Sequence, residues 1–454
     1  MSDLPVITPP LDPAFQPAAA WNDAYRTTVS PDHAAPLILA VARSNGAITR
    51  FEAPIRDDAA PDTLRYAERL AKFLLWSCGG HSLHVAAPAG VGAHIRDAYS
   101  PQGARAFDVS LMSTLYERPF SVLLDAPAAI PPAHEITTAV GGDLSGCRIG
   151  FDLGASDYKV AAVRDGQVLY SDEFPWNPRD QADPDYHYTH LRRGLEAAAR
   201  RLPRVDAIGG STAGVVVNNQ FRLASLLRSI PPSRFHEASQ LFIRIAREWN
   251  VPTLVLNDGD VSAVAGALSL GTTGILGLAL GSSEAAGCID NAGCFRGWIT
   301  ELAFAPVDYN PLAPTDEWSG DRGVGALYFS QQAVNKLLPA AGIDLPADMP
   351  VPERLKAVQA LMAAADPRAA RIYETLGAYL GYGIAHYAAF YDFKHVLLLG
   401  RVMTGSGGGI ILTESRRVIE TCFPHLAARI TVLLPDENSR RVGQAVAAAS
   451  LPTL

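Results

Sequence analysis

The sequence predicts an α/β protein: a main body of two related lobes, with a smaller α/β domain in front. Three observations carry this expectation. From residue 37 onward, short Leu-, Ile- and Val-rich runs alternate with amphipathic helical runs, the pattern of the α/β class. From residue 147 the order reads strand, strand, strand, helix, strand, helix, and three strands recur from about residue 274, which suggests two related lobes facing each other. Between the first domain and the body lies "AIPPAHEITTAVGGDLSG", residues 129–146, a stretch rich in Pro, Gly and Thr that reads as a linker. The expected divisions are an extended arm at 1–36, an N-terminal α/β domain at 37–146, a first lobe at 147–265 and a second at 266–454. The final helix is free to return to the first lobe.

Residues 1–30 are Pro-rich and aperiodic. "LILAVARSNGAITRFEAPI" places two apolar runs around Ser-Asn-Gly, a hairpin pattern. "APDTLRYAERLAKFLLWSC" is an amphipathic helix with an Asp near its start, "SLHVAAP" a strand, "GVGAHIRDAYS" a short helix and "FSVLLDAP" a strand. After the linker, "CRIGFDLGASDYKVAAVRDGQVLYSDEFP" reads as three strands, the last two joined by Asp-Gly. "YTHLRRGLEAAARRL" is helical, and "VDAIGGSTAGVVVNN" is strand, glycine turn, strand. A helix at "ASQLFIRIAREWN", a strand at "PTLVLND" and a helix at "VSAVAGALSL" follow. "TGILGLALGSS", "AAGCIDNAG" and "CFRGWITELAF" read as strands, and 352–391 as largely helical. "HVLLLGRV" is a strand running into "GSGGG"; then come the helix "ILTESRRVIETCF", the strand "ARITVLLP" and a final helix over "SRRVGQAVAAASL".

Composition narrows the function classes. With 48% apolar and 19% charged residues, a large core is feasible. A net charge of −8 with no Lys/Arg run argues against nucleic acid as a partner. Five scattered cysteines without a CxxC pair, behind an N-terminus lacking a basic and apolar leader, fit a reducing cytoplasm. Residues 261–283 carry no charge over the length of a membrane span, but Gly-Thr-Thr-Gly interrupts them. They read as a buried helix, a turn and a buried strand, and no membrane partner is expected. His187 and His190, and likewise His81, His84 and His94, lack the grouping a metal needs and read as packing or surface residues.

Four stretches carry chemistry: "GFDLGASDYK" (150–159), "LVLNDGDVSA" (254–263), "LALGSSEAAGCI" (278–289) and "LLLGRVMTGSGGG" (397–409). Each is a polar or glycine turn after an apolar strand, and any one alone is most simply a turn. In open α/β sheets a carboxylate at the end of a buried strand sits where ligands bind. Asp258 therefore reads as a site residue, with Asp260 as the cap of the helix that follows.

The order of the four stretches resembles the sugar-kinase, hsp70 and actin superfamily, and within it the ROK family (repressors, open reading frames and sugar kinases). The resemblance covers roughly residues 146–454, so the first motif starts late because a domain precedes it. It implies the two-lobed actin-like ATPase fold, of ribonuclease H-like topology, and an ATP-dependent kinase acting on a sugar. By this resemblance Asp152 holds Mg²⁺ through the nucleotide. Gly154, Ser156 and Lys159 form the first phosphate turn. Gly281, Ser282 and Ser283 form the second, and Gly400 and Gly405 lie on the nucleotide side. Asp258 is the general base, and Asn257, Asp258, Glu301 and Asn219 contact the sugar.

The chain departs from the family at two places. In the second phosphate turn, two positions that are glycine in many members carry side chains here, and Glu284 would bring negative charge toward a triphosphate. Downstream, "WITELAFAPVDY" keeps Glu301 but has Phe304 in place of histidine, and no cysteine cluster follows, so no structural zinc is expected. "DEWSGDRGVGALYFSQQAV" stands there instead, with Trp318, Asp321 and Arg322 as candidate carbohydrate contacts. The altered turn admits an alternative: a non-catalytic ROK-like protein that senses a sugar or nucleotide. Residues 37–127 show no catalytic constellation; an interaction or dimerisation role leaves a homodimer open.

Overall fold

The computed structural model describes residues 6–140, 142–154, 156–435 and 443–454. The sequence-expected helix over 439–442 and the turn position 155 lie outside them. The chain forms two compact units. One gathers residues up to Thr137 with Leu278–Ala286 and Arg296–Leu434; the other gathers Thr138–Gly277, Gly287–Phe295 and Pro435–Leu454.

In the first unit, the expected extended arm contains a helix, α1 (Ala18–Thr27), which starts after Pro17 and turns Ala18, Ala19, Asn22 and Tyr25 inward. The segment before it is tied to polar side chains: the Leu11 N–H donates to Thr375 Oγ1 and the Gln16 N–H to Asp308 Oδ1. The Ser-Asn-Gly hairpin forms as expected, from β1 (Ala34–Ala42) and β2 (Ile48–Arg56). α2 (Pro61–Cys78), β3 (Ser82–Ala86) and α3 (Ala89–Ala98) follow, then a helix that the sequence reading missed, α4 (Ala106–Tyr116), and β4 (Ser121–Leu124). The sheet order is β2-β1-β3-β4.

In the second unit, a two-residue strand β5 (Thr138–Ala139) precedes β6 (Cys147–Leu153), β7 (Asp157–Arg164) and β8 (Gln167–Pro175), the three expected strands. α5 (Pro184–Ala199), β9 (Ala207–Thr212), the hairpin β10 (Val215–Val217) and β11 (Gln220–Leu223), α6 (Phe235–Ser239), α7 (Leu241–Trp249), β12 (Thr253–Asn257) and α8 (Asp258–Leu270) complete its main run. The sheet order is β12-β9-β6-β7-β8. β9 and β12 run parallel to β6, and β7 is antiparallel to it, so β6, β9 and β12 end at the same edge. Phe151, Tyr158, Leu191, Leu195, Phe242 and Ile245 fill the core on one face. On the other face lies the last described helix. A Cβ on Gly150 or Gly209 would sit 1.7 Å from the carbonyl oxygens of Ala445 and Ala448, so helix and sheet meet backbone to backbone.

β13 (Ile275–Leu280) and β14 (Glu284–Ile289) then form a hairpin, followed by the short β15 (Cys294–Phe295). The expected strand over "CFRGWITELAF" stops there. Gly297 and Thr300 take positive φ (63° and 48°), and the Thr300 and Glu301 N–H groups donate to Ser77 and Trp76 carbonyls rather than to a ladder. α9 (Gln331–Ala341) was also not anticipated. α10 (Val351–Ala363) and α11 (Pro367–Tyr387) form the expected helical stretch. β16 (His395–Leu399), α12 (Ser406–Cys422), α13 (Pro424–Ala427) and β17 (Thr431–Leu433) follow, the sheet order being β14-β13-β16-β17. The last described helix is α14 (Gln444–Ala449). Among the described residues no helix is long and apolar enough to cross a membrane.

Candidate functional site

In the second unit, the shared edge of three parallel strands gathers the acidic candidates. Asp152 is the penultimate residue of β6, level with Ser211 on β9, and the Ser211 hydroxyl donates to Asp152 Oδ1 at 2.6 Å. Asp258 follows β12 directly. Burial, and then the negative charge of Asp152, push its carboxyl up to about 7. Burial also raises Asp152, while the Ser211 hydroxyl and Lys159 pull it back down. A carboxyl that titrates near neutrality can accept a proton at physiological pH. Two carboxylates close enough for the charge of one to raise the other, one of them bound to a hydroxyl, also suit Mg²⁺, which binds through one or two carboxylates together with substrate phosphates.

α8 begins one turn earlier than the sequence suggests. Asn257 is its N-cap, its Oδ1 accepting the Gly259 N–H at 2.8 Å, and Asp258 is the first helical residue. The expected cap, Asp260, lies within the helix. The cap also fixes Asn257 Nδ2 on the Gly214 carbonyl at 2.9 Å, leaving one amide N–H for a ligand.

The first turn is tighter than expected. The Gly154 N–H already donates to the Asp157 carbonyl, and a Cβ there would meet that oxygen at 2.9 Å. The Gly154 carbonyl accepts from Trp176 Nε1. Ser156 is exposed, and its hydroxyl donates to Asp157 Oδ2 at 2.8 Å. Lys159 pairs across the ladder with Asp152, but its half-exposed amine lies 3.7–3.9 Å from Glu173 and Asp157. Asn219 is committed elsewhere. Its Nδ2 donates to the Thr253 carbonyl and its Oδ1 accepts the Val255 N–H, both at 2.8 Å, which pins the β10–β11 turn to the edge strand β12.

In the first unit, the turn between β13 and β14 exposes Ser282 and Ser283. Its backbone is closed by the Gly281 N–H on Ser283 and by the Gln331 N–H on the Gly281 carbonyl. Glu284 does not share this exposure. It is buried, Tyr387 donates to its Oε1 at 2.8 Å, and its Oε2 lies against Gly325. Burial, together with the charge of Glu301, pushes this carboxyl up to about 8 even though the Tyr387 hydroxyl works the other way. At neutral pH the side chain is mostly uncharged, so the turn does not carry the negative charge expected of it.

Gly400 follows β16 directly at φ 95°, and a Cβ there would lie 2.4 Å from the Leu280 carbonyl oxygen. Gly405 takes φ 74° with open space beside it, as the N-cap of α12. The glycine cluster is thus not a loop before a helix at Ile410. Its last three members form the first turn of α12, with Gly407 against the Tyr373 ring and Gly408 against the Met403 carbonyl. Glu301 is half-buried after the break at Thr300, and Phe304 is buried, its ring centroid 4.5 Å from that of Trp76. Of the three candidates in the loop that follows, Asp321 is buried in ion pairs and Arg322 binds the carbonyls of Pro311 and Ala313. Trp318 and Arg322 are both exposed, and of the two only Arg322 is tied to backbone carbonyls. Among the described residues no group of three or more His, Cys, Asp or Glu is placed to hold a metal ion.

Comparison with solved structures decides the fold. A ROK hexokinase from Thermus thermophilus superposes with TM-score 0.53 at 18% identity, over 67% of this chain and 97% of the hexokinase. The chain has the ROK-family fold. A ROK-family transcriptional regulator, a homologue of the E. coli MLC protein, also has TM-score 0.53 at 18% identity, over 80% of this chain and 89% of the regulator. The ROK fold therefore covers a kinase and a regulator at equal likeness to this chain. No protein-family model and no curated protein matches the sequence.

Sequence reasoning missed two partners in these sites. Ser211 stood in view as the end of a buried strand, and the parallel register with Asp152 would have pointed to it. Tyr387 lies 103 residues from Glu284, on a helix read only as helical, and nothing local signalled the contact.

Proposed function

We propose that the chain is a ROK-type, ATP-dependent sugar kinase that transfers the γ-phosphate to a sugar hydroxyl, with Asp258 as the general base. The observation carrying this reading is the Asp152–Asp258 pair at one strand edge, with Asp258 brought to about 7. In the proposed reaction Asp258 takes the hydroxyl proton as the oxygen attacks phosphorus, and the γ-phosphate leaves ADP. Asp152 would hold Mg²⁺, which when bound would supply positive charge to the phosphates. Asn257 offers its remaining N–H to the sugar, and Glu301 accepts from sugar hydroxyls. Ser156, Ser282 and Ser283 supply hydroxyl donors to the nucleotide, with Gly154, Gly281, Gly400 and Gly405 shaping the backbone around it. Lys159 contributes long-range positive charge, and Asn219 acts through the turn it pins.

The test is a coupled assay for ADP release over a panel of hexoses, amino sugars and polyols. Asp258→Asn is expected to lower kcat by about 10²–10⁴-fold. A variant as active as the parent, or a folded parent inactive on every sugar, overturns the proposal. A second reading, a sensing or regulatory protein without phosphoryl transfer, draws support from the regulator's match to 80% of the chain against 67% for the hexokinase. Calorimetry separates the two: sugar binding without Mg-ATP binding favours the sensor.

A further inference from the structure

In the N-terminal third, α2 meets the segment around Glu301 at three levels. At the backbone, the last carbonyls of α2 accept from that segment: Ser77 from the Thr300 N–H at 2.9 Å and Trp76 from the Glu301 N–H at 3.0 Å. A helix C-terminus leaves such carbonyls unpaired, and here the chain around Glu301 takes up two of them. At the level of packing, Trp76 and Phe107 lie 4.5 Å and 5.5 Å from the Phe304 ring. At the level of charge, Asp321 sits among three cations from α2 and the start of α4. It is 2.8 Å from Arg69, 3.3 Å from Lys72 and 2.5 Å from Arg105.

The ionic cluster is closed and balanced. Glu68 binds Arg69 and Arg105, and Asp108 binds Lys72, so the buried Lys72 and Arg105 and the partly buried Arg69 meet three buried anions. Burial alone would raise Asp321, but Lys72, Arg69 and Arg105 hold it far below the usual carboxylate range. Asp321 is the only anion of the three that lies outside the N-terminal third. It closes a loop that is itself tied back to the 301–308 segment: its carbonyl accepts the Asp316 N–H, and the nearby Gly323 carbonyl accepts from Val307 and Asp308. Residues 300–323 are therefore held at both ends, by carbonyls of α2 at one and by its cations at the other.

We infer that the N-terminal α/β segment is a positioning module for Glu301, with Asp321 and Trp76 as positioning residues that act through the 300–323 segment. This rests on the reading of Glu301 as the sugar-side carboxylate. It assigns the segment a role in sugar recognition rather than in nucleotide binding or in chemistry of its own.

The experiment uses the full chain and two readouts. Hydrogen exchange is followed in peptides covering 300–323, with peptides from 253–270 as the internal control. In Asp321→Asn, exchange over 300–323 is expected to rise roughly tenfold or more, with the control unchanged. The sugar KM is expected to rise by a similar factor, with the KM for ATP unaltered. Removing one buried anion can compromise folding. The charge-balanced double variant Arg69→Met with Asp321→Asn leaves the Lys72–Asp108 and Arg105–Glu68 pairs intact and frees the same loop. Unchanged exchange over 300–323 in the folded double variant overturns the anchoring. Raised exchange with an unchanged sugar KM, or with both KM values rising together, overturns the positioning role. If the parent phosphorylates no sugar, the kinase reading fails by itself; the positioning claim is then judged by exchange and by the sugar affinity of parent and variant in calorimetry, where unaltered affinity overturns it.

Discussion

Glu284→Gln tests the electrostatics of the β13–β14 turn directly. In the folded chain the Glu284 carboxyl keeps its proton up to about pH 8, whereas an unperturbed glutamate loses it near 4.5. Between those values the folded state binds one more proton than the unfolded state, so stability falls as pH rises. The slope from this group is about 1.4 kcal/mol per pH unit, which amounts to about 3 kcal/mol between about pH 5 and about pH 7.5. Glutamine cannot ionise and lacks that slope. Its amide changes the offset between the two proteins, because one N–H must find a place beside Gly325, but not the pH dependence. Urea denaturation of parent and variant at a series of pH values measures the difference, which should grow in favour of glutamine by about 3 kcal/mol across the range. Parallel curves would falsify the buried neutral carboxyl. The same titration reaches function: the KM for ATP in the parent is expected to climb above about pH 8 as Glu284 ionises, and to stay flat in the variant.

Other expectations follow from single contacts. Asp258 acts when deprotonated, so kcat/KM should fall about tenfold per pH unit below about 7 and level off above it, and a profile flat down to pH 5 would remove Asp258 from the role of base. Gly400→Ala forces a Cβ onto the Leu280 carbonyl at a backbone angle that suits glycine, and should cost about 3 kcal/mol of stability in thermal or urea unfolding. Asn219→Ala strands the Thr253 carbonyl and the Val255 N–H and should cost about 1–3 kcal/mol, with Asn219→Asp recovering only the acceptor half.

The parts of this fold that were legible in the sequence are those with local causes. Ser-Asn-Gly and Asp-Gly placed two hairpins, and the apolar runs ending in Asp152 and Asn257 placed two strands whose ends share one edge. α1 was missed because its Pro-rich flanks mask a ten-residue helix stabilised by contacts far along the chain. α12 was started late because glycine normally opposes helix; here Gly407 and Gly408 are tolerated because a ring and a carbonyl occupy the space a side chain would need. Glu284 reads from sequence as an exposed charge in a turn. Only the partner on α11 and the close approach of Gly325 turn it inward. Asn219 and Asp321 were read as ligand contacts because exposed polar loops often are, but strand-edge pairing in one and a buried ion cluster in the other use up their hydrogen-bonding capacity.

The contact between α14 and the central strands has a consequence for biosynthesis. Arg148 on β6 is completely enclosed, and its guanidinium binds the carbonyls of Ala449 and Pro452, about three hundred positions downstream. Gly150 and Gly209 let the α14 backbone approach that surface closely, so Arg148, Ala161 and Val163 lack these partners until residues 444–452 have emerged from the ribosome. The second unit, although most of its strands are translated early, cannot finish folding before residues 444–452 are available. Its sheet must wait, exposed on one side, through the synthesis of much of the first unit. A chaperone that shields this face would then be expected to raise the yield of folded protein more than one acting on the N-terminal segment.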